Sequence, residues 1–270
     1  MYRLLATDID DTILAADGTL PEVNRRALEE LHNRSITVVF SSGRATESIQ
    51  RVAAHIVTLA DDEYIISYNG AQVTTAKSGT LLFEWPLSAE SIQDIVAYAE
   101  EHKLHLQGYA HGTIYASGLG KNAGQYGADY AQSAEMPLVL TADLSKTVGA
   151  STPKMLGIDD PATIETHIAA LTARSKGRFR VTRSKPQYME IVNAQASKGG
   201  ALTRLAAHLN IPIEETIAVG DSYNDIEMIQ AAGLGAAVAN AVDTLKDAAD
   251  VVLERTSDDG AIAEILERFF

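Results

Sequence analysis

Two stretches far apart in this chain share one pattern, in which short apolar β-rich runs alternate with amphipathic helical segments. In the first third, Leu4–Ala6 is followed by a helical stretch over Pro21–Arg34, with Val23, Ala27, Leu28 and Leu31 near one face. The β-branched run Ile36–Phe40, a helix over Thr46–Ile56 and the strand Tyr64–Ser67 come next. The last third resumes the pattern. A helix over Gly199–Asn210 leads to a strand at Thr216–Val219 and a helix over Asp225–Ala232 that stops at Gly233. Short strands at Gly235–Val238 and Asp250–Leu253 and a closing helix over Gly260–Phe270 complete it. Strands that alternate with helices predict an α/β fold with a doubly wound, Rossmann-like parallel sheet.

The middle of the chain reads differently. From about Phe83 the order is strand, helix (Ala89–His102), then strands near Leu104–Tyr109 and Thr113–Ser117. A matching set follows: Lys154–Ile158, a helix over Pro161–Arg174, then Phe179–Arg183 and Tyr188–Val192. This βαββ pattern occurring twice predicts an inserted α+β domain of about 100 residues, enough to fold as a unit. Gly118–Met136, between the two sets, gives no clear assignment. The expected organisation is therefore 1–82 (core, first segment), 83–187 (insert) and 188–270 (core, second segment).

A net charge of −14 argues against nucleic-acid or anionic-membrane partners, which ask for a basic face. It leaves anionic small molecules open, because a bound divalent cation reverses the local field. The chain has no cysteine, which removes disulfides, thiol chemistry and thiolate metal sites. With no basic and apolar leader and no apolar run near 18 residues, a cytoplasmic protein is expected.

Three predicted strands end in polar clusters: Asp8-Ile9-Asp10-Asp11-Thr12, Ser41-Ser42-Gly43-Arg44, and Gly220-Asp221-Ser-Tyr-Asn224-Asp225. In a parallel sheet the ligand crevice lies outside the carboxyl ends of the strands, so adjacent strands would bring these clusters together. Two like charges about 4 Å apart repel by roughly 1 kcal/mol in water and about 4 kcal/mol at an effective dielectric of 20. Placing several carboxylates there makes sense if a cation offsets that repulsion. Alternate side chains of an extended segment share a face, so Asp8 and Asp10 can point the same way, with Asp221 and Asp225 opposite. Oxygen-rich sets of this kind bind Mg²⁺. Capping and turn roles, common for Asp, suffice for Asp11 alone but do not explain the set of Asp8, Asp10 and Asp221.

Lys198 begins a predicted helix, where the macrodipole disfavours a cation by about 0.3–1 kcal/mol. A bound anion nearby would account for it. Ser42 and Gly43 precede another helix, where a hydroxyl and free N–H groups suit phosphate, although Ser42 alone reads equally as a cap. Carboxylates, a lysine and N–H donors around one crevice describe phosphoryl transfer. With no cysteine and no Gly-x-Ser-x-Gly turn, the nucleophile is expected to be a carboxylate, with a second acid moving the proton.

These segments, Asp8-Ile-Asp10-Asp-Thr12, Ser42-Gly-Arg44, Lys198-Gly and Gly220-Asp221-x-x-Asn224-Asp225, resemble the four motifs of the haloacid dehalogenase-like (HAD) phosphatases. The resemblance is narrower to the Cof-type subfamily, whose cap domain lies between the second and third motifs; Asn69-Gly70-Ala71, Val238-Ala-Asn240-Ala, Ala249-Asp250 and Asp259-Gly260 are similar to that subfamily as well. It implies that Asp8 is the phosphate-accepting nucleophile and Asp10 the general acid/base. It implies Mg²⁺ held by Asp8, Asp10 and Asp221, with the second ligand either the Asp10 side chain or a backbone carbonyl in the Ile9–Asp10 stretch. Ser42, Lys198 and Asn224, with backbone N–H groups near Ile9 and Gly43, would hold the phosphoryl oxygens. Asp225, Thr12 and Arg44 would support the site, Arg44 serving either as a substrate contact or as an exposed helix-terminal residue. Asp11 stands where many members carry glycine.

The expected function is Mg²⁺-dependent hydrolysis of a small phosphorylated metabolite, sugar phosphates first. A phosphomutase using the same intermediate is the alternative enzyme. The non-enzyme alternative is a phospho-receiver that stores the group on Asp8, against which stand Asp10 and the large insert.

Overall fold

The computed structural model describes residues 1–56, 62–120, 123–149 and 152–270. In chain order the elements are β1 (Leu4–Asp8), α1 (Glu22–Asn33), β2 (Thr37–Ser41), α2 (Thr46–Ile56), β3 (Tyr64–Ser67), β4 (Gln72–Thr75) and β5 (Leu81–Glu84). Then come α3 (Ala89–His102), β6 (His105–Ala110), β7 (Thr113–Ala116), α4 (Ala123–Ser133), β8 (Leu138–Leu140), α5 (Leu144–Val148), β9 (Lys154–Ile158), α6 (Pro161–Ser175), β10 (Phe179–Lys185) and β11 (Tyr188–Asn193). The chain ends with α7 (Lys198–His208), β12 (Thr216–Gly220), α8 (Ile226–Ala231), β13 (Leu234–Ala237), α9 (Asp243–Ala248), β14 (Val251–Val252) and α10 (Ala261–Phe269).

Among the described residues the strands form two sheets, one in each of two compact units: Met1–Phe83 with Ser197–Phe270, and Glu84–Ala196. The first sheet has the order β14-β13-β12-β1-β2-β3-β4-β5. From β14 to β3 every pairing is parallel, and β4 turns back antiparallel on β3. Both β1 and β12 are buried along their whole length, in keeping with the apolar runs Leu4–Ala6 and Ile217–Val219 within them. The chain moves outward from β1 through β2 and β3 and later returns to the other side through β12, so β1 is the switch point of a doubly wound sheet. The register sets Asp8 beside Ser41 and Thr7 beside Val219, one residue short of Gly220. The three polar clusters therefore leave neighbouring strands at the same edge.

The second unit carries the sheet β10-β11-β9-β6-β7-β8. Leu106, Met155, Met189 and Ile191 enter a hydrophobic cluster with Ile92, Ile95 and Ala99 of α3 and Ile164 and Leu171 of α6. On the alternate strand positions, buried polar residues (Gln107, Lys154, Glu190) stand among buried apolar ones such as Leu156 and Val192.

Two expectations change. The core does not resume at residue 188: β11 pairs antiparallel with both β9 and β10, so the second unit runs to Ala196. The strand at Phe83, expected to open the insert, is β5, and it lies at the edge of the first sheet. The first αββ set of the insert accordingly lacks a leading strand of its own. The unassigned stretch Gly118–Met136 contains α4, with residues 121–122 outside the described ones. No helix among the described residues is long and apolar enough to cross a membrane.

Candidate active site

At the carboxyl end of β1, Asp8 is buried, and so are Lys198 at the start of α7 and Asp225 before α8. Lys198 Nζ donates to Asp8 Oδ1 at 2.5 Å and to Asp225 Oδ1 at 2.6 Å, with the Ser41 carbonyl a further acceptor at 3.4 Å. The helix start is fixed by Ser197, whose hydroxyl accepts the N–H of Gly200. Gly199 lets α7 approach α8: a Cβ there would lie 2.2 Å from the Glu227 carbonyl oxygen. Both helix starts are thereby brought to the sheet edge.

Asp225 closes the loop after β12. Its Oδ2 accepts the N–H groups of Asp221 and Ser222 at 3.2 and 3.1 Å, while Oδ1 takes Lys198. Both of its oxygens are therefore engaged. Asp221 accepts the Thr12 hydroxyl at 3.3 Å, which ties the loop after β12 to the loop after β1. Asp8, Asp221 and Asp225 have carboxylate oxygens within 4.8 Å of one another.

The electrostatics follow from this crowding. Burial raises the pKa of Asp8 well above the usual carboxylate value against the pull of Lys198, with Asp225 and Asp221 adding to the rise. Asp221 is pushed up to about 7, first by burial and then by Asp225. For Lys198 burial acts downward, but Asp225 and Asp8 outweigh it and hold the ammonium above its ordinary value.

The Asp10 side chain is not part of this carboxylate cluster. Arg44 grips it, Nε to Oδ2 at 2.9 Å and Nη2 to Oδ1 at 2.6 Å. Of the two options for the second metal ligand, the Asp10 side chain and a backbone carbonyl of the Ile9–Asp10 stretch, the side chain is engaged by Arg44. In the Ile9–Asp10 stretch, the Ile9 carbonyl already accepts the N–H groups of Ile13 and Leu14. The Asp10 carbonyl has no such partner among the described residues, and it is the open backbone oxygen of the pair.

The other expected residues fall around the same edge. Ser42 is buried and its Oγ accepts the N–H of Arg44 at 3.2 Å, a turn bond rather than a cap of α2. Gly43 follows it in the loop between β2 and α2. Ile9 is buried in the first turn after β1. Asn224 is exposed, and its Nδ2 donates to Asn69 Oδ1 at 3.0 Å. Asp11 has φ 56°, in the left-handed region where glycine and Asp are tolerated, and its carbonyl accepts the Asn240 amide at 2.8 Å. That backbone conformation is one that glycine adopts without strain. Asn69 entered the sequence reading only in the stretch Asn69-Gly70-Ala71, similar to the Cof-type subfamily, and was given no role in the site. An Asn-Gly pair between two strands marks a turn and says nothing of what the turn touches.

An all-oxygen donor set suits Mg²⁺: the carboxylates of Asp8 and Asp221 converge where burial and mutual repulsion disfavour uncompensated negative charge. The Asp10 carbonyl is the open backbone oxygen of the loop that follows Asp8. Asp225, with both oxygens engaged, fits a supporting role behind them.

A doubly wound sheet whose switch-point strand ends in a buried carboxylate, paired to a lysine from a later helix, fits a protein that handles phosphoryl groups. Residues 5–266 match the haloacid dehalogenase-like hydrolases, and the chain belongs to that family. It is 29% identical over 290 residues to phosphatase YwpJ of Bacillus subtilis, covering 98% of this chain and 99% of that one. It is 26% identical over 263 residues to the 5-amino-6-(5-phospho-D-ribitylamino)uracil phosphatase YcsE of the same organism, covering 97% and 94%. A crystal structure of a haloacid dehalogenase-like hydrolase from Bacteroides thetaiotaomicron superposes with a TM-score of 0.89, at 28% identity and full coverage of both chains. The protein is a phosphatase of this family.

Proposed function

We propose that the chain hydrolyses a small phosphomonoester, a sugar phosphate in the first instance, through a phosphoryl group carried transiently on Asp8. The observation that carries this reading is the buried Asp8–Lys198–Asp225 chain at the switch point, beside Asp221 and Thr12. The ester oxygen that leaves takes a proton from Asp10 as the carboxylate of Asp8 forms a bond to phosphorus and the ester P–O bond breaks. Water then gives a proton back to Asp10 and attacks phosphorus; the bond to Asp8 breaks and inorganic phosphate departs. Lys198 holds Asp8 in line, and Ser42, the backbone N–H groups of Ile9 and Gly43, and Asn224 bind the phosphoryl oxygens. Asp8, Asp221 and the Asp10 carbonyl hold Mg²⁺, which when bound supplies positive charge against the phosphoryl oxygens.

The name of YcsE specifies a phosphorylated polyhydroxy chain as its substrate, and this supports a sugar-like ester here. We place the enzyme in the cytoplasm. The test is phosphate release from a panel of phosphomonoesters, with Mg²⁺ and with chelator, for wild type and Asp8→Asn. Release that requires Mg²⁺ and disappears in Asp8→Asn is the expected result. Release that persists in Asp8→Asn would remove Asp8 from the role of nucleophile.

A further inference from the structure

The short turn Tyr68–Gly70 belongs to none of the four motifs, yet it meets three of them. The N–H of Asn69 donates to the Ser42 carbonyl at 3.1 Å, and that of Tyr68 to the Arg44 carbonyl at 3.0 Å. Gly70 has φ +93°, and a Cβ there would fall 2.2 Å from the carbonyl of Ser197, the residue before Lys198. Only glycine fits that contact. On its remaining side the turn presents the Asn69 amide. Its Oδ1 accepts Asn224 Nδ2 at 3.0 Å, and a Cβ on Gly43 would lie 3.0 Å from the same oxygen. Asn69 holds this place with φ 56° and ψ 35°, a left-handed conformation that most side chains avoid.

We infer that Asn69 is a positioning residue for phosphate binding, acting through the side chain of Asn224. The inference rests on the reading of Asn224 as a phosphate-binding residue. A primary amide has two N–H donors. With one anchored on Asn69, the other is fixed in direction and remains for a phosphoryl oxygen. An exposed asparagine without that anchor samples several rotamers, and ordering it on binding lowers affinity. The net worth of one such hydrogen bond corresponds to about a three- to tenfold change in binding.

The test measures inhibition by inorganic phosphate of p-nitrophenyl phosphate turnover in wild type, Asn69→Gly, Asn224→Ala and the double variant. Glycine accepts the left-handed backbone, so Asn69→Gly removes the side chain while keeping the turn. The expected result is a rise of about three- to tenfold in both the phosphate Ki and the KM of Asn69→Gly, with kcat nearly unchanged. No further rise is expected when Asn69→Gly is added to Asn224→Ala. A merely structural role would lower kcat through a smaller active fraction and leave Ki intact. The positioning role is overturned if Asn224→Ala raises Ki but Asn69→Gly does not, or if the two effects multiply in the double variant. If Asn224→Ala itself leaves Ki unchanged, the phosphate-binding reading of Asn224 fails, and the role of Asn69 with it.

Discussion

Arg44 holds the carboxylate of Asp10 at two points, through Nε at 2.9 Å and Nη2 at 2.6 Å. The fork joins the loop after β1 to the loop after β2 and sets the orientation of the group proposed to carry the proton. Both side chains are partly exposed, so the pair contributes at most about 1 kcal/mol to stability, and its main effect is on orientation. Arg44→Ala and Arg44→Lys are both expected to lower kcat by about ten- to a hundredfold with little change in melting temperature. Lysine carries the charge but cannot form two parallel bonds to one carboxylate. Steady-state kinetics on p-nitrophenyl phosphate checks this; wild-type kcat in Arg44→Lys would sink it.

Lys198 is buried between Asp8 and Asp225, each within 2.6 Å of its ammonium. Removing one partner of a buried ion pair leaves an uncompensated charge, at a typical cost of about 3–5 kcal/mol. Lys198→Met should therefore melt well below wild type, by about 6 °C or more. Adding Asp225→Asn should restore part of the loss by removing one of the stranded carboxylates. Thermal denaturation of the three proteins in chelator decides it. Equal melting temperatures for Lys198→Met and wild type would show that the pair adds nothing to the fold.

The convergence of Asp8, Ser41 and Gly220 at one edge was readable in the sequence, because each closes an apolar run and parallel strands end on the same side. Lys198 was readable as a cation at a helix start that repels cations. The fork from Arg44 to Asp10 was not, since it depends on the course of two loops joined only in space. Asn69 was marked only by its likeness to the subfamily, and its contacts were hidden for a related reason: a left-handed turn does not show its neighbours. The alternating run Tyr188–Asn193 looks the same whichever sheet it joins, so the limit of the inserted unit depended on its pairing with β9 and β10. The pairing of β5 is equally non-local.

Asp221 gives the metal-free protein a distinctive pH dependence. Its pKa is pushed up to about 7 in the folded state, chiefly by burial, against 3.8 for an ordinary Asp. Between those values the folded state holds the proton more tightly than the unfolded one. The stabilising contribution is thus fully present below about pH 3.8 and is lost as pH rises through 7. Mg²⁺ competes with that proton, so saturating Mg²⁺ should raise the melting temperature more at pH 7.5 than at pH 5. Melting curves at both pH values, with and without Mg²⁺, test this in wild type and Asp221→Asn. Equal increments at the two pH values, or an undiminished increment in Asp221→Asn, would contradict the assignment.

His105 sets the opposite slope in the second unit. It is 1% exposed, next to the Gln107 amide at 3.2 Å, and a Cβ on Gly127 of α4 would stand 2.6 Å from its Nε2. Burial pulls its pKa down to about 4, against 6.5 for an ordinary histidine. Between pH 4 and 6.5 the unfolded chain therefore binds more protons than the folded one, and stability rises with pH in that window. The contribution is fully present above about pH 6.5 and is lost as pH falls through 4, a change of about 3 kcal/mol at most. Trp85 is the one tryptophan of the chain and lies in the Glu84–Ala196 unit, so its fluorescence follows the unfolding of that unit. Urea titrations from pH 4.5 to 7.5 should show a clear rise in wild type and a flatter dependence in His105→Leu. An unchanged slope in the variant would mean that His105 is not the group that loosens this unit in acid.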